Sequence, residues 1–171
     1  MKKILIFLLL FLSISCSSNL LTKKSAESIN CPPVFFASEN RNYLSSEEKP
    51  LTLDNVSFKA EINNYAFNKP CVQENDIRIF PLDILFIIEP IKSTSTNISL
   101  PLYVALLDSD KQLFEMQYFS ISGEISYDLN TENYLETELS NSIDIITLNH
   151  NPISSLVIGF MLDKKKEELL N

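Results

Sequence analysis

The sequence predicts an all-β domain, an immunoglobulin-like antiparallel β-sandwich finished by a short C-terminal helix, with a small β-barrel as the alternative arrangement. Three features of the 171 residues carry this reading. Two long stretches alternate apolar and polar side chains with the period of a half-buried strand. Between them lie denser apolar runs rich in β-branched and aromatic residues, and turn formers recur every ~10–20 positions. Long amphipathic helices are missing from the pattern, and no repeat of fixed period points to a propeller or solenoid.

Residues 1–15, MKKILIFLLLFLSIS, have the three parts of a secretory signal: Lys2 and Lys3 at the start, then a largely apolar stretch of twelve residues from Ile4 that ends in the small residues before the cut. As a helix that stretch would cover about 18 Å of a hydrocarbon core about 30 Å thick, so it is not expected to span. Ser13-Ile14-Ser15-Cys16 resembles the lipobox of bacterial lipoproteins. In that class a small residue precedes an invariant cysteine that receives diacylglycerol, becomes the N-terminus after cleavage and is usually acylated on its nitrogen. The resemblance implies lipid attachment at Cys16; an ordinary signal peptide cut nearby and an uncleaved anchor are the other readings. The expected organisation is a lipoprotein signal peptide over 1–15, a lipidated cysteine and flexible tether over 16–30, and a β-sandwich domain over 31–171. After Cys16 the tether reads SSNLLTKKSAESIN and keeps no sustained period; as a coil it would hold the domain roughly 20 Å from a bilayer.

Within the domain, Asn55–Asn63 is the first clear strand, with Val56, Phe58, Ala60 and Ile62 facing one way and polar residues the other. The runs IRIFPLDILFII around Pro81, LPLYVALL (100–107) and LFEMQYFSI (113–121) have the length and composition of central strands. In the first, the apolar parity shifts from Ile77 and Ile79 to Leu82, Ile84 and Phe86, so Pro81 is expected at a bulge or at a bend on a sheet edge. Asp108-Ser109-Asp110-Lys111-Gln112 reads as a hairpin connection, since its aspartates lack the further ligands, the glycine and the glutamate of a calcium loop. The second alternating strand sets Leu135, Thr137, Leu139, Asn141, Ile143 and Ile145 against Glu136, Glu138, Ser140, Ser142 and Asp144. Ser155–Leu162 is the last strand, and Asp163 caps the helix KKKEELL, whose leading lysines oppose its dipole. Most aromatic residues belong in the core. Phe35 and Phe36 are adjacent, and the expected arrangement is a flap folded onto the sheet end near Cys31; the alternative is a strand in which one of them joins an outward contact patch.

The order Cys31-Pro32-x-Val34, Leu53-Asp-Asn-Val-Ser-Phe-Lys-Ala-Glu-Ile62, Cys71, Val104-Ala-x-x-Asp108 and Leu156-Val-Ile-Gly-Phe-Met-Leu162, with Glu168-Leu169 and Asn171, resembles a group of uncharacterised alphaproteobacterial lipoproteins. The likeness covers most of the mature chain and brings no assigned activity with it. With Cys16 given to the lipid, Cys31 and Cys71 are the two thiols left to pair in an oxidising compartment. That bridge would close a loop of about forty residues and stabilise the fold by roughly 4 kcal/mol through loop-closure entropy; two separate buried thiols are the alternative.

Motifs that carry chemistry are scarce. Gly123 and Gly159 are the only glycines, too few for loops that cradle phosphates or dinucleotides. The single histidine, His150, sits in a loop, and although Ser142, Asp144 and His150 could be imagined as a triad, alternation puts the first two on a solvent face. One histidine and no closely spaced cysteine pair match no familiar zinc pattern, so neither metal nor cofactor is expected. Glu47-Glu48, Glu136 with Glu138, and Glu167-Glu168 read as solvated faces. The net charge is −8, and losing Lys2 and Lys3 with the leader makes it two units more negative, which argues against nucleic acid and anionic lipid as partners. The expected function is a non-catalytic, membrane-anchored periplasmic lipoprotein, held by the lipid on Cys16 and acting with envelope proteins as an interaction or assembly module. A hydrolase or small-ligand carrier with a loop-built site is the alternative. Ser17 follows Cys16 where an aspartate would retain a lipoprotein at the inner membrane, which points to the outer membrane, facing the periplasm.

Overall fold

Fourteen residues, Ile77–Pro90, form the longest strand, β6, and the first sheet is organised around it. Phe80, Leu82, Ile84, Phe86 and Ile88 alternate along β6 and are all buried, so one whole edge of its pleat belongs to the core. The structure is a computed structural model describing residues 26–92, 96–128 and 133–170; Cys16 and the signal segment lie outside the described residues. Along one flank of β6 runs β11 (Thr137–Leu148), antiparallel and unbroken from Ile77 to Ile88. The other flank is shared end to end by β5 (Cys71–Glu74) and β4 (Phe58–Phe67). β1 (Glu27–Ile29) joins β5 and β3 (Asn42–Ser45) joins β4, completing the six strands of sheet I.

Sheet II has the order β2-β12-β7-β8, built from β2 (Val34–Phe36), β7 (Asn97–Leu107), β8 (Leu113–Glu124) and β12 (Ser155–Phe160). β9 (Tyr127–Asp128) and β10 (Asn133–Tyr134) form a small separate ladder, and helix α1 covers Lys164–Leu170. The architecture is an all-β sandwich: among the described residues no ladder joins the two sheets, so the barrel alternative does not apply. Between them pack Leu100, Leu102, Leu106, Leu156 and Ile158 of sheet II against the β6 row, with Phe86 and Phe160 touching across the layers at 5.9 Å between ring centres. One ladder departs from the expected antiparallel pattern, since β2 lies parallel to β12.

Both alternating rows face inward, with Val56, Phe58, Ala60 and Ile62 buried in one and Thr137, Ile143 and Ile145 in the other, but the strands start later than the alternation does: β4 begins at Phe58, and Leu135, expected on the inward row, is 45% exposed ahead of β11. The Asp108–Gln112 hairpin also holds. Its Asp108 carboxylate accepts the N–H groups of Asp110 and Gln112 at 2.9 Å each, and Lys111 takes the left-handed conformation with φ 61°. Asp163 caps α1, accepting the Lys166 N–H at 2.9 Å.

Three expectations are corrected. LFEMQYFSI is an edge strand, β8, not a central one. Its inward row begins with Glu115 and Gln117, and the apolar side chains that made both faces look buried point outward. Pro81 lies inside β6 with no register shift against β11; it sits where the flanking strand changes from β5 to β4, and neither Phe80 nor Pro81 has a ladder partner on that flank. The folded domain also starts earlier than residue 31. Glu27–Ile29, read as tether, pairs with Gln73–Cys71 because the Cys31–Cys71 disulfide, with Cα atoms 5.3 Å apart, brings this segment onto the edge of β5.

The bulge that Pro81 does not make occurs in β4. Ile62 pairs with Phe86 and Asn64 with Leu85, so Asn63 is an extra residue. It flips the inward row from even to odd numbers, and Tyr65 and Phe67, not Asn64 and Ala66, pack on the core. Arg41 holds this irregularity. Its Nε donates to the Ile62 carbonyl at 2.9 Å and its Nη2 to the Asn63 carbonyl at 3.4 Å, while its own carbonyl accepts the Ile62 N–H at 3.0 Å. Its guanidinium stacks 5.2 Å from the Phe36 ring centre and lies 3.3 Å from a Glu61 oxygen. Arg41→Ala should therefore lower stability by about 1–3 kcal/mol, and Arg41→Lys should recover only part of it, because an ammonium lacks the planar fork that serves two carbonyls. Urea unfolding midpoints test this; a wild-type midpoint for Arg41→Ala would mean that the ladder holds the bulge unaided.

Candidate functional site

The two outer faces of the sandwich differ in charge. On sheet II, register and alternation place Phe35 of β2, Val157 and Gly159 of β12, Pro101, Tyr103, Ala105 and Leu107 of β7, and Leu113, Met116 and Tyr118 of β8 on one outward surface. The ladder continues through Ser99 and Ser120, whose hydroxyls meet at 2.9 Å, and the first outward charge along β8 is Glu124 at its far end. Phe35 is 57% exposed, Leu113 58% and Tyr118 62%. Burial pushes the Tyr103 phenol above its ordinary pKa, so the ring stays uncharged at physiological pH. Sheet I carries Lys59, Glu61, Asp83, Glu89, Glu138 and Asp144 on its outer side, interleaved with Leu85 and Ile87, and ends in the exposed Ile146 and Leu148 of β11.

The apolar surface bends around one side of the molecule. A bulge in β8 leaves Phe114 as an extra residue, 47% exposed, since Leu113 pairs with Leu107 and Glu115 with Leu106. Here β8 meets the edge of β11 without a backbone ladder. Gln117 donates to the Ile146 carbonyl at 2.8 Å, Thr147 donates to Glu115 at 2.9 Å, and Gly123 lies against Leu139. These contacts close the seam with side chains and leave Ile146 and Leu148 outward on its sheet I side, with Met116 and Phe114 exposed on β8.

Of the residues singled out from the sequence, Cys31 and Cys71 are joined and Phe35 is exposed, in a strand and not in a flap. Phe36 turns inward onto Tyr65, its ring centre 5.8 Å away. Cys16 lies outside the described residues. Ser142 does not meet His150. Its hydroxyl donates to Asp83, which also accepts from Asn68, and six further strand residues, roughly 20 Å, lead to the end of β11, beyond which His150 lies. Among the described residues, no three His, Cys, Asp or Glu side chains come together as metal ligands, and no helix is long and apolar enough to cross a membrane. A cleft of about 490 Å³ beside α1 is lined by Tyr43, Ser46, Lys49, Asp163 and Lys166. Lys166 lies 4.9 Å from the Tyr43 ring centre and 3.0 Å from Asp163, whose carboxyl is held below its ordinary pKa by its hydrogen bonds from Lys166.

The outward surface was legible in part. Adjacent Phe35-Phe36 marks one end of it, but Phe114, Met116 and Tyr118 read as core because a run of apolar residues does not reveal which face lacks a cover. No protein-family model, curated protein or solved structure matches this chain.

Tyr103 lies across the surface because Gly159 is bare: a Cβ there would stand 2.6 Å from the Tyr103 hydroxyl oxygen and 2.8 Å from Asn40 Cβ. Gly159→Ala should cost about 1–3 kcal/mol, more than Gly123→Ala, where only the flexible Leu139 side chain, with its methyls and Cγ 2.6–3.2 Å from the added Cβ, must turn aside. Thermal melts of the two variants test the ranking, and the reverse order would contradict this account.

Proposed function

We propose that this chain is a non-catalytic lipoprotein of the bacterial envelope, anchored through Cys16 and serving as an interaction or assembly module, with the outer face of sheet II as a surface that is covered in the envelope. The observation that carries the reading is the charge contrast between the two faces. An acidic chain that keeps its charges off one aromatic- and methionine-bearing face has a surface suited to being covered. The lipobox-like Ser13-Ile14-Ser15-Cys16 and the resemblance to alphaproteobacterial lipoproteins support the anchor, and Ser17 after the cysteine supports the outer membrane, facing the periplasm. The disulfide suits an oxidising compartment. The competing reading, a hydrolase or small-ligand carrier, would have the cleft beside α1 as its site. There the charged groups of Asp163 and Lys166 already bind each other and the lysine lies over Tyr43, an arrangement that caps and docks a helix.

Cys16→Ala should abolish labelling by a fatty-acid probe, leave the leader uncleaved and change the membrane behaviour of the chain. Density-gradient separation of the membranes should place the unaltered protein with the outer one. Normal processing and labelling of Cys16→Ala would overturn the anchor; recovery of the unaltered chain with the inner membrane would overturn the sorting.

A further inference from the structure

We infer that the covering partner of the sheet II outer face is the surface of the bilayer to which the chain is anchored. The inference rests on the membrane anchor proposed above and names what the exposed face meets there. Three observations point to lipid.

The first is reach. The described chain begins at Ala26, one residue before β1, and residues 17–25 separate it from Cys16. Nine residues extend at most about 30 Å, while two packed sheets stand about 10 Å apart, so a chain leaving the edge of sheet I can lay sheet II on the membrane that holds Cys16. The second is area. Four strands at about 4.8 Å by some six residues at about 3.3 Å give a flat face of roughly 400 Å². A stable protein dimer buries about 800 Å² on each partner, so a second copy would be held weakly. A tethered domain needs far less, because the anchor keeps its local concentration at the membrane high.

The third is chemistry. The face offers Tyr103 and Tyr118, whose rings have an apolar body and a polar tip, with Phe35, Phe114, Leu113 and Met116 around them. Such residues suit the headgroup boundary, where an apolar face sinks about 5–10 Å. The acidic residues of sheet I would be repelled by anionic lipid, and docking through the uncharged face turns them away from the membrane. The lipid is accordingly zwitterionic, and the charged face stays open to envelope proteins.

The chain contains no tryptophan, so one introduced indole reports on one place. Full-length acylated protein carrying Tyr118→Trp, Phe35→Trp or Ser140→Trp would be reconstituted into phosphatidylcholine vesicles with and without bromine-labelled acyl chains. Flotation reads the anchor and quenching reads the docking. Vesicles should float with all three proteins and quench Trp emission by about twofold or more for the two sheet II variants, with little effect at Ser140→Trp on sheet I. Replacing a third of the lipid by phosphatidylglycerol should weaken the quenching. Flotation without quenching at either sheet II position would overturn the docking and leave the anchor standing. Emission at those positions that shifts with protein-to-lipid ratio but is not quenched would show a second copy on the face, also overturning it. Failure to float would remove the anchor and the docking together.

Discussion

Everything in this sandwich is placed by the pairing of β6 on both flanks. Because β11 follows it without a register shift from Ile77 to Ile88, a slip of one residue would turn Phe80, Leu82, Ile84, Phe86 and Ile88 out of the core at once. That constraint decides which side of each neighbouring strand faces inward. It accounts for the burial of Ile143 and Ile145 on β11 and of Phe58, Ala60 and Ile62 on β4. Sheet II then has a mostly apolar layer to pack on, and Phe160 reaches both Phe86 and Tyr43, with ring centres 5.9 and 5.4 Å away.

Where the regular pattern breaks, a specific group compensates. Asn63 adds a residue to β4 and shifts its inward parity, and the two carbonyls at the bulge are taken by Arg41. Phe114 adds one to β8, and beside it Glu115 and Gln117 bond to Thr147 and the Ile146 carbonyl, joining two edge strands that form no ladder. Side chains thus shelter part of the edges of β8 and β11, which leaves the faces as the broad surfaces for contact. Both glycines stand where a neighbouring side chain leaves no room for a Cβ: Leu139 over Gly123 and Tyr103 over Gly159.

The functional reading follows from asymmetry between layers. In each sheet the inner row is mostly apolar, covered by the other sheet, with polar side chains only toward the β8–β11 seam. The outer row of sheet I mixes carboxylates with half-buried isoleucine and leucine and becomes apolar only at its Ile146 and Leu148 end, largely the pattern of a wet face, whereas that of sheet II keeps aromatic and methionine side chains where water should be. Ordinary solvation explains the first and leaves the second without a cover, and the membrane anchor proposed at Cys16 would put a bilayer within the reach of the connecting chain.

By itself, the sequence determined the all-β class, the two alternating rows, the Asp108–Gln112 hairpin and the capped terminal helix, and it left Cys31 and Cys71 as the pair available to bond. These rest on local rules: a period of two, turn chemistry, a cap residue, and two thiols remaining once Cys16 was given to the lipid. Only the tertiary structure decided that β8 is an edge, that Pro81 sits inside a strand, that Glu27–Ile29 belongs to the domain, and that Phe114, Met116 and Tyr118 lie outside. The physical reason is the same for each. Periodicity shows that a strand has an apolar side, but whether that side is covered depends on which distant segment packs against it, and a strand's own residues do not contain that information.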